Sequence, residues 1–200
     1  MRHMLASAIG YAMGSGAIIL YSPMIYKLLQ SKSADGFSVQ TWVMNLVGLT
    51  LCVAYPFRKG FPLSTFLENV ALTMQSVIAL SLVCIYKGYQ MELIGGLGLF
   101  SIMCYYLFLG NLPSTLFRWI HILSIIICNY ALVPQIYLNW KQKQVTWSAF
   151  TALLSAGGNL IRVFTTLQLT QDMLMLGGYV IGWIMNMIML FQIYIYRLKK

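Results

Sequence analysis

The polar side chains that could bind a solute are few and lie inside long apolar stretches of this chain. An amide in hydrocarbon must be hydrogen-bonded, so each such residue either bonds to a neighbouring helix or lines a polar path. The chemistry favours a solute that carries hydroxyl groups or is a zwitterion, with bonding between helices as the alternative. The candidates for the path are Asn45, Gln75, Ser76, Asn159 and Asn186, and further amides in similar surroundings are Asn69, Asn129 and Gln192.

Two charges of opposite sign, Glu68 and Arg162, also lie within apolar stretches. Counted from the predicted ends of their helices, both are about 8 Å inside the same membrane boundary. A charge at that depth is costly unless it is paired or hydrated. We therefore expect an intramembrane charge pair. The alternatives are that Arg162 extends to the lipid headgroups and that Glu68 serves a transport path.

No arrangement typical of catalysis is present. The sequence has no GxSxG motif, no phosphate-binding loop and no cluster of histidines and carboxylates at metal-ligand spacing. A hydrolase needs a nucleophile with a positioned partner. The four cysteines lack CxxC spacing, and each is predicted to be a small buried hydrophobe. We expect no enzyme, no catalytic residue, no metal and no cofactor.

The composition determines what surrounds these residues. Apolar residues make up 60% of the chain and charged residues 8%, with a mean hydropathy of +0.75. A soluble domain has about 25% charged residues, so most of this chain must be solvated by lipid. The net charge of +9 is spread in ones, twos and threes, as in membrane loops. The expected partners are the lipid bilayer and a small-molecule solute, with an oligomer left open and no nucleic acid.

Seven stretches are long and apolar enough to cross the hydrocarbon as helices of about 20 residues. The sequence therefore predicts an all-α membrane protein with seven transmembrane helices. The first stretch has no clear signal-peptide cleavage site and is retained as a span. The stretches are 5–29, 38–56, 63–86, 93–109, 115–138, 147–167 and 173–196.

The basic residues predict the orientation. With Arg162 set aside, four fall on one side of the membrane and eight on the other. Cytosolic loops carry the excess of lysine and arginine. The C-terminus is therefore expected in the cytosol and the N-terminus in a lumen or outside the cell.

Short motifs recur at an offset of 110 or 111 residues. PMIY at 23–26 is followed by PQIY at 134–137, and IYK at 85–87 by IYR at 195–197. The offset predicts two parallel three-helix bundles joined by a connector helix (3+1+3), with bounds 1–90, 91–112 and 113–200.

Pro23 and Pro134 are the informative match, because the chain has only five prolines. Each falls in the last third of its span, where it removes a backbone hydrogen bond. Two such points at equivalent positions predict a pair of hinges near one membrane face, with static kinks as the alternative.

VPQIY at 133–137 resembles the signature of the PQ-loop repeat family, and KSADGFS at 32–38 resembles the loop that follows this signature in some members. Residues 61–68 and 162–172 are similar to segments of its subfamilies, one of which serves the use of dolichol-linked sugars. The similarity covers about residues 5–197. Met24 stands where the signature has glutamine, so only Gln135 can have the role of that residue.

The resemblance implies transport of a small solute by alternating access between two bundles, and it adds Gln135 to the candidate hinge. It also implies an internal membrane, either endoplasmic reticulum, Golgi or lysosome, with the N-terminus in the lumen. Two alternatives come from relatives: a non-transporting membrane factor for the use of dolichol-linked sugars, and a lumenal sorting receptor. A receptor for a carboxylate tail needs several lumenal basic residues inside the bundle, and only Arg162 qualifies.

Overall fold

In the computed structural model, which describes residues 2–34, 37–130, 132–143 and 149–198, the chain is helical. Nine α-helices and one short 3-10 turn (Leu63–Thr65) occur in these ranges, without any strand. The all-helical prediction is confirmed for them. The helices are α1 (Arg2–Leu20), α2 (Ser22–Ser31), α3 (Val39–Arg58), α4 (Leu67–Lys87), α5 (Gln90–Phe108), α6 (Ser114–Tyr130), α7 (Val133–Gln142), α8 (Ala149–Leu169) and α9 (Met173–Leu198).

Five helical stretches are long and apolar enough to cross a membrane, judged by length and composition. α8 has 21 residues, as many as α4, but it contains Asn159 and Arg162 and is not one of these five stretches. The start predicted for this span, residue 147, lies outside the described residues. The division into seven spans in a 3+1+3 order stays a prediction. The five stretches are His3–Ser31, Val39–Arg58, Leu67–Lys87, Gln90–Phe108 and Met173–Tyr196.

The apolar helices leave large hydrophobic side chains on the outside. α5 buries only Leu107 among its 19 residues, whereas Met91 and Leu99 are 80% and 71% exposed. A hydrophobic surface of this extent would promote aggregation in water. It is suited to contact with lipid chains.

The chain divides into two compact units. The first unit comprises Ala8–His121, and the second comprises Met1–Ser7 with Ile122–Lys200. The predicted bounds 1–90, 91–112 and 113–200 come from the repeat in the sequence, whereas these two units are defined by contacts between residues. The predicted bounds therefore stay a prediction.

In the first unit α4 is the central helix. α3 packs along it, α5 contacts both α3 and α4, and α2 and the 3-10 turn also contact α4. Two buried clusters hold these helices together. The clusters are Leu28 with Ala34 and Val83, and Leu46 with Leu80 and Cys84.

α1 approaches the 3-10 turn and the start of α4 through two glycines. A Cβ on Gly10 would overlap the backbone carbonyl oxygen of Ser64, and a Cβ on Gly14 would lie 2.7 Å from the side chain of Leu67. Neither contact leaves room for a side chain. Small residues allow this close approach, which is common between membrane helices.

In the second unit α9 is the helix that the others contact. α8 packs along it, and α7 lies against its C-terminal part. α6 comes close at Gly178, where a Cβ would lie 3.0 Å from the side chain of Ile125.

The third span begins later than predicted. Leu63–Thr65 form a 3-10 turn, and α4 starts only at Leu67. The preceding residue, Phe66, has φ −135°, which is outside the helical range and separates the two elements. As a result Glu68 lies in the first turn of α4, not several residues inside a helix.

The cysteines differ in burial. Cys84 is buried, Cys52 and Cys104 are half-buried, and Cys128 is exposed. The prediction of burial is therefore wrong for Cys128. It follows Ile126 and Ile127, which are also exposed, and an apolar side chain facing lipid needs no cover from protein.

Candidate functional site

The first span is interrupted next to Pro23. α1 ends at Leu20 and α2 begins at Ser22, so the proline is the second residue of α2. Because proline has no N–H, the carbonyl of Ile19 cannot receive the usual bond from the residue four ahead. The chain bends at Tyr21, the one residue between the two helices.

Gln75 of α4 spans this interruption. Its Nε2 donates to the carbonyl of Ala17 at 2.8 Å, and its Oε1 accepts from the backbone N–H of Tyr21 at 2.9 Å. In an uninterrupted helix, the N–H of residue 21 would donate to the carbonyl of residue 17. The carboxamide of Gln75 takes the place of that lost backbone bond. This matters because no water is present in hydrocarbon to bond to the carbonyl of Ala17 and the N–H of Tyr21.

Three of the predicted path residues meet at this point, since Asn45 and Ser76 lie beside Gln75. Asn45 Nδ2 donates to Ser76 Oγ at 3.0 Å and to the phenol oxygen of Tyr21 at 3.4 Å. The ring of Trp42 packs edge-on against Tyr21, with 5.4 Å between ring centroids. Tyr21 was not among the residues predicted from the sequence. It stands two residues before Pro23, and this position beside a proline within a span could have indicated it.

In the second unit α6 ends at Tyr130 and α7 begins at Val133, so Pro134 is again the second residue of a helix. α2 and α7 are both ten residues long, and both end at a lysine in the left-handed conformation. These lysines are Lys32 with φ 47° and Lys143 with φ 53°. The side chains of Pro134 and Gln135 lie outside the described part of the structure, so the role of Gln135 stays a prediction.

A second glutamine, Gln192 of α9, holds the short helix α7. Its Nε2 donates to the carbonyl of Ile136 at 2.9 Å, and its Oε1 accepts from Asn139 Nδ2 at 3.2 Å. Gln75 bonds to residues on the N-terminal side of its proline, whereas Gln192 bonds to residues on the C-terminal side. The two units therefore hold their interrupted spans in different ways.

Three asparagines of the second unit, Asn129, Asn159 and Asn186, lie around Gly182. Each donates its Nδ2 to the carbonyl four residues earlier in its own helix, at 2.8 to 3.0 Å. A Cβ on Gly182 would lie 3.0 Å from Asn159 Oδ1 and 3.3 Å from Asn129 Oδ1. Asn186 Oδ1 is buried and accepts no hydrogen bond from the residues that the structure describes. Gly182 could not be recognised from the sequence, because its role depends on side chains of other helices.

The predicted charge pair falls on different units. Glu68 is half-buried in the first turn of α4, where the positive end of the helix dipole favours a carboxylate. Arg162 is in α8 and only 4% exposed. Their pairing stays a prediction.

Arg58 has a structural role at the end of α5. Its guanidinium donates to the backbone carbonyls of Phe108, at 3.1 Å, and of Gly110. Carbonyls at a helix C-terminus have no intrahelical donor and carry partial negative charge. The cation therefore caps α5 and lies over the ring of Phe117, 4.8 Å from its centroid.

Two cavities of the first unit are apolar. One of about 530 Å³ lies between α3, α4 and α5, and another of about 550 Å³ is lined by Phe57, Phe61 and Phe66 among others. Neither contains a residue predicted to line the solute path. Within the described ranges, no group of three histidine, cysteine or carboxylate side chains is placed to hold a metal ion.

Comparison with known proteins adds three findings. A profile of the PQ-loop repeat matches residues 5–65 and 116–175, so the second match begins 111 residues after the first. Solute carrier family 66 member 3 of Homo sapiens is 27% identical over 169 residues, which cover 82% of this chain and 80% of that protein. The solved structure of a eukaryotic SWEET transporter has a TM-score of 0.75 and 15% identity, with 98% of this chain and 97% of the other covered.

The fold, the apolar spans and these similarities define an integral, multi-pass membrane protein of a transporter-like class. Because the profile covers more than half of the residues, the chain belongs to the PQ-loop repeat family. The predicted family and the predicted internal repeat are confirmed. The likeness to the SWEET transporter, at 15% identity, establishes the fold.

Proposed function

We propose that this protein moves a small solute across an internal membrane by alternating access between its two three-helix bundles. Two of its similarities support the proposal: one relative is named a solute carrier and the other a transporter. The N-terminus faces the lumen and the C-terminus the cytosol. The organelle is the endoplasmic reticulum, Golgi or lysosome.

The observation that carries the proposal is the pair of interrupted first spans. In each unit a ten-residue helix starts one residue before a proline and ends at a left-handed lysine. A helix that already lacks a backbone bond can bend there with small changes in φ and ψ. Equivalent bending points at Pro23 and Pro134 give each bundle a hinge, with Gln135 beside the second.

The path is lined by amides and hydroxyls near these hinges. In the first unit Asn45, Gln75 and Ser76 are linked to the interrupted span by hydrogen bonds. In the second unit the path residues are Asn159 and Asn186, whose Nδ2 groups donate to carbonyls of their own helices. Side chains that bond to helices in one access state can bond to a solute in the other, because amides both donate and accept.

The hinges are tested by replacing Pro23 or Pro134 with alanine. Alanine restores the missing N–H, so the span can continue as one helix and we expect a protein confined to one access state. Gln30 and Lys141 are both exposed, so spin labels can be attached at these positions. A protein confined to one access state should give a single narrow distribution of the distance between the two labels. Pro113→Ala is the matched control, because Pro113 lies in a loop before α6 and should leave the distribution as in the wild type. An unchanged distribution in both hinge variants contradicts hinging.

Transport itself is tested in proteoliposomes. A panel of radiolabelled sugars, amino acids and headgroup compounds, each run with and without a pH gradient, identifies the solute and any proton coupling. We expect saturable uptake of at least one compound. No uptake, together with restored use of dolichol-linked sugars in deficient cells, would support the non-transporting alternative instead.

A further inference from the structure

The cavity between α3, α4 and α5 of the first unit is elongated along α5. It has a volume of about 530 Å³, and its lining on this helix extends from Glu92 to Met103. At 1.5 Å per residue this part of the helix is about 17 Å long. One leaflet of a bilayer contributes about 15 Å of hydrocarbon, half of the core thickness. The cavity therefore has the length of an extended lipid chain.

The cavity is accessible from outside the protein along α5. Gly96 and Leu99 belong to its lining, and both are exposed. A Cβ on Gly96 would meet no described atom within 4 Å, so this glycine leaves space and does not admit a neighbouring helix. Atoms around an empty space lose their van der Waals contacts. An apolar space that is open to lipid is therefore best filled by a lipid chain.

The two ends of the cavity differ in polarity. Tyr89 and Glu92 line one end and Met103 the other, while α3 and α4 contribute aliphatic side chains and Cys84. Only Gly88 and Tyr89 join α4 to α5, so Glu92 lies beside the turn between two apolar helices, where lipid headgroups begin. Among the described side chains that line the cavity, the carboxylate of Glu92 is the charged one.

We propose that this cavity binds a long-chain lipid amine, with its chain along α5 and its ammonium group beside Glu92. The apolar lining and its length select the chain. The carboxylate selects the headgroup, because it attracts a cation and repels a carboxylate or phosphate. A hydroxyl headgroup could donate to Glu92 but would lack the attraction between opposite charges.

The headgroup decides the selectivity of this site. A chain that leaves the bilayer for the cavity exchanges one apolar environment for another and gains little. Glu92 is exposed, and an exposed ion pair changes an equilibrium constant only a few-fold. We therefore expect a preference of about two- to fivefold for an amine over an alcohol. Binding to the first unit does not require transport, so this proposal and the proposed function can fail separately.

The test is thermal unfolding of the full-length protein in a neutral detergent that contains octadecylamine, octadecanol or octadecanoate at increasing mole fraction. At pH 8 the amine is protonated and the carboxylate is ionised. We expect octadecylamine to raise the unfolding midpoint with saturation, at a half-saturating mole fraction about two- to fivefold below that of octadecanol. Octadecanoate should have the weakest effect. Any other order of the three compounds, or no saturable rise with octadecylamine, overturns the proposal.

Variants separate this site from effects of the charged micelle. Gly96→Leu places a side chain in the cavity and should abolish the saturable rise. Gly98→Leu on the same helix is the matched control and should retain it, because Gly98 is exposed and is not among the lining residues. Glu92→Gln should make octadecylamine and octadecanol equally effective while both still bind. A saturable rise that survives in Gly96→Leu, or an amine preference that survives in Glu92→Gln, contradicts the site.

Discussion

At the scale of single residues, one carboxamide determines how the first span tolerates its proline. Without Gln75, the N–H of Tyr21 and the carbonyl of Ala17 would lack partners inside a membrane helix. An unsatisfied backbone group in hydrocarbon is unfavourable by several kcal/mol. Gln75 removes this penalty while the backbone ladder stays interrupted at Tyr21.

Gln75→Leu keeps the side-chain volume but removes both hydrogen bonds. We expect the free energy of unfolding to fall by about 2 kcal/mol, because two backbone groups lose their partner. Intrinsic fluorescence during thermal unfolding in detergent measures the change. Gln90→Leu is the control, since Gln90 is exposed at the start of α5 and should have little effect. A loss no larger than that of the control would mean that residues 17 and 21 bond to each other instead.

At the scale of elements, the first unit depends on helices that approach closely. The contacts of α1 with the 3-10 turn and α4 require glycine at positions 10 and 14. Membrane helices gain no hydrophobic driving force from association, so close van der Waals packing at small residues has to replace it. The same reasoning applies to Gly178 of α9 against Ile125 in the second unit.

Gly10→Ala and Gly16→Ala form a matched pair on α1. The first places a Cβ against the carbonyl oxygen of Ser64, whereas no described atom lies within 4 Å of the second. Overpacking should lower the stability of Gly10→Ala by about 1–3 kcal/mol. Gly16→Ala should be neutral or more stable by about 0.5–1 kcal/mol, because alanine favours a helix over glycine. Thermal unfolding of both variants decides this. Equal effects would show that α1 does not pack through this face.

At the scale of the whole molecule, basic residues are divided unequally between the predicted sides of the membrane. Some of them also have structural partners, as Arg58 does at the end of α5. Orientation therefore rests mainly on the other loop charges. Lys32 and Lys143 occupy equivalent places at the ends of α2 and α7, so the parallel repeat predicts that they face the same side.

Cysteine labelling in sealed vesicles tests the orientation. In a background without the four natural cysteines, single cysteines at positions 32 and 143 should react with an impermeant reagent from the cytosolic side. A cysteine at position 59 should react only from the lumenal side, because the excess of basic residues favours cytosolic loops. Labelling after detergent lysis is the control for reactivity at each position. The reverse pattern would invert the topology, and opposite labelling of positions 32 and 143 would contradict the parallel repeat.

The sequence by itself determined the features that depend on composition and local chemistry. The scarcity of charge predicted a lipid environment, the offset between Pro23 and Pro134 predicted the repeat, and proline chemistry predicted where the spans are interrupted. These inferences need no knowledge of which helix faces meet. For the same reason Asn45, Gln75 and Asn159 could be selected as polar residues in apolar surroundings, but their hydrogen-bond partners could not be predicted.

Only the tertiary structure decided those partners. Gln75 bonds to Ala17 and Tyr21, which are more than fifty residues away, and Asn129 and Asn159 converge on Gly182. In water, an apolar stripe marks the face of a helix that packs inward. In lipid both faces are apolar, so no such stripe shows which side chains meet, and the contacts are set by close packing between helices.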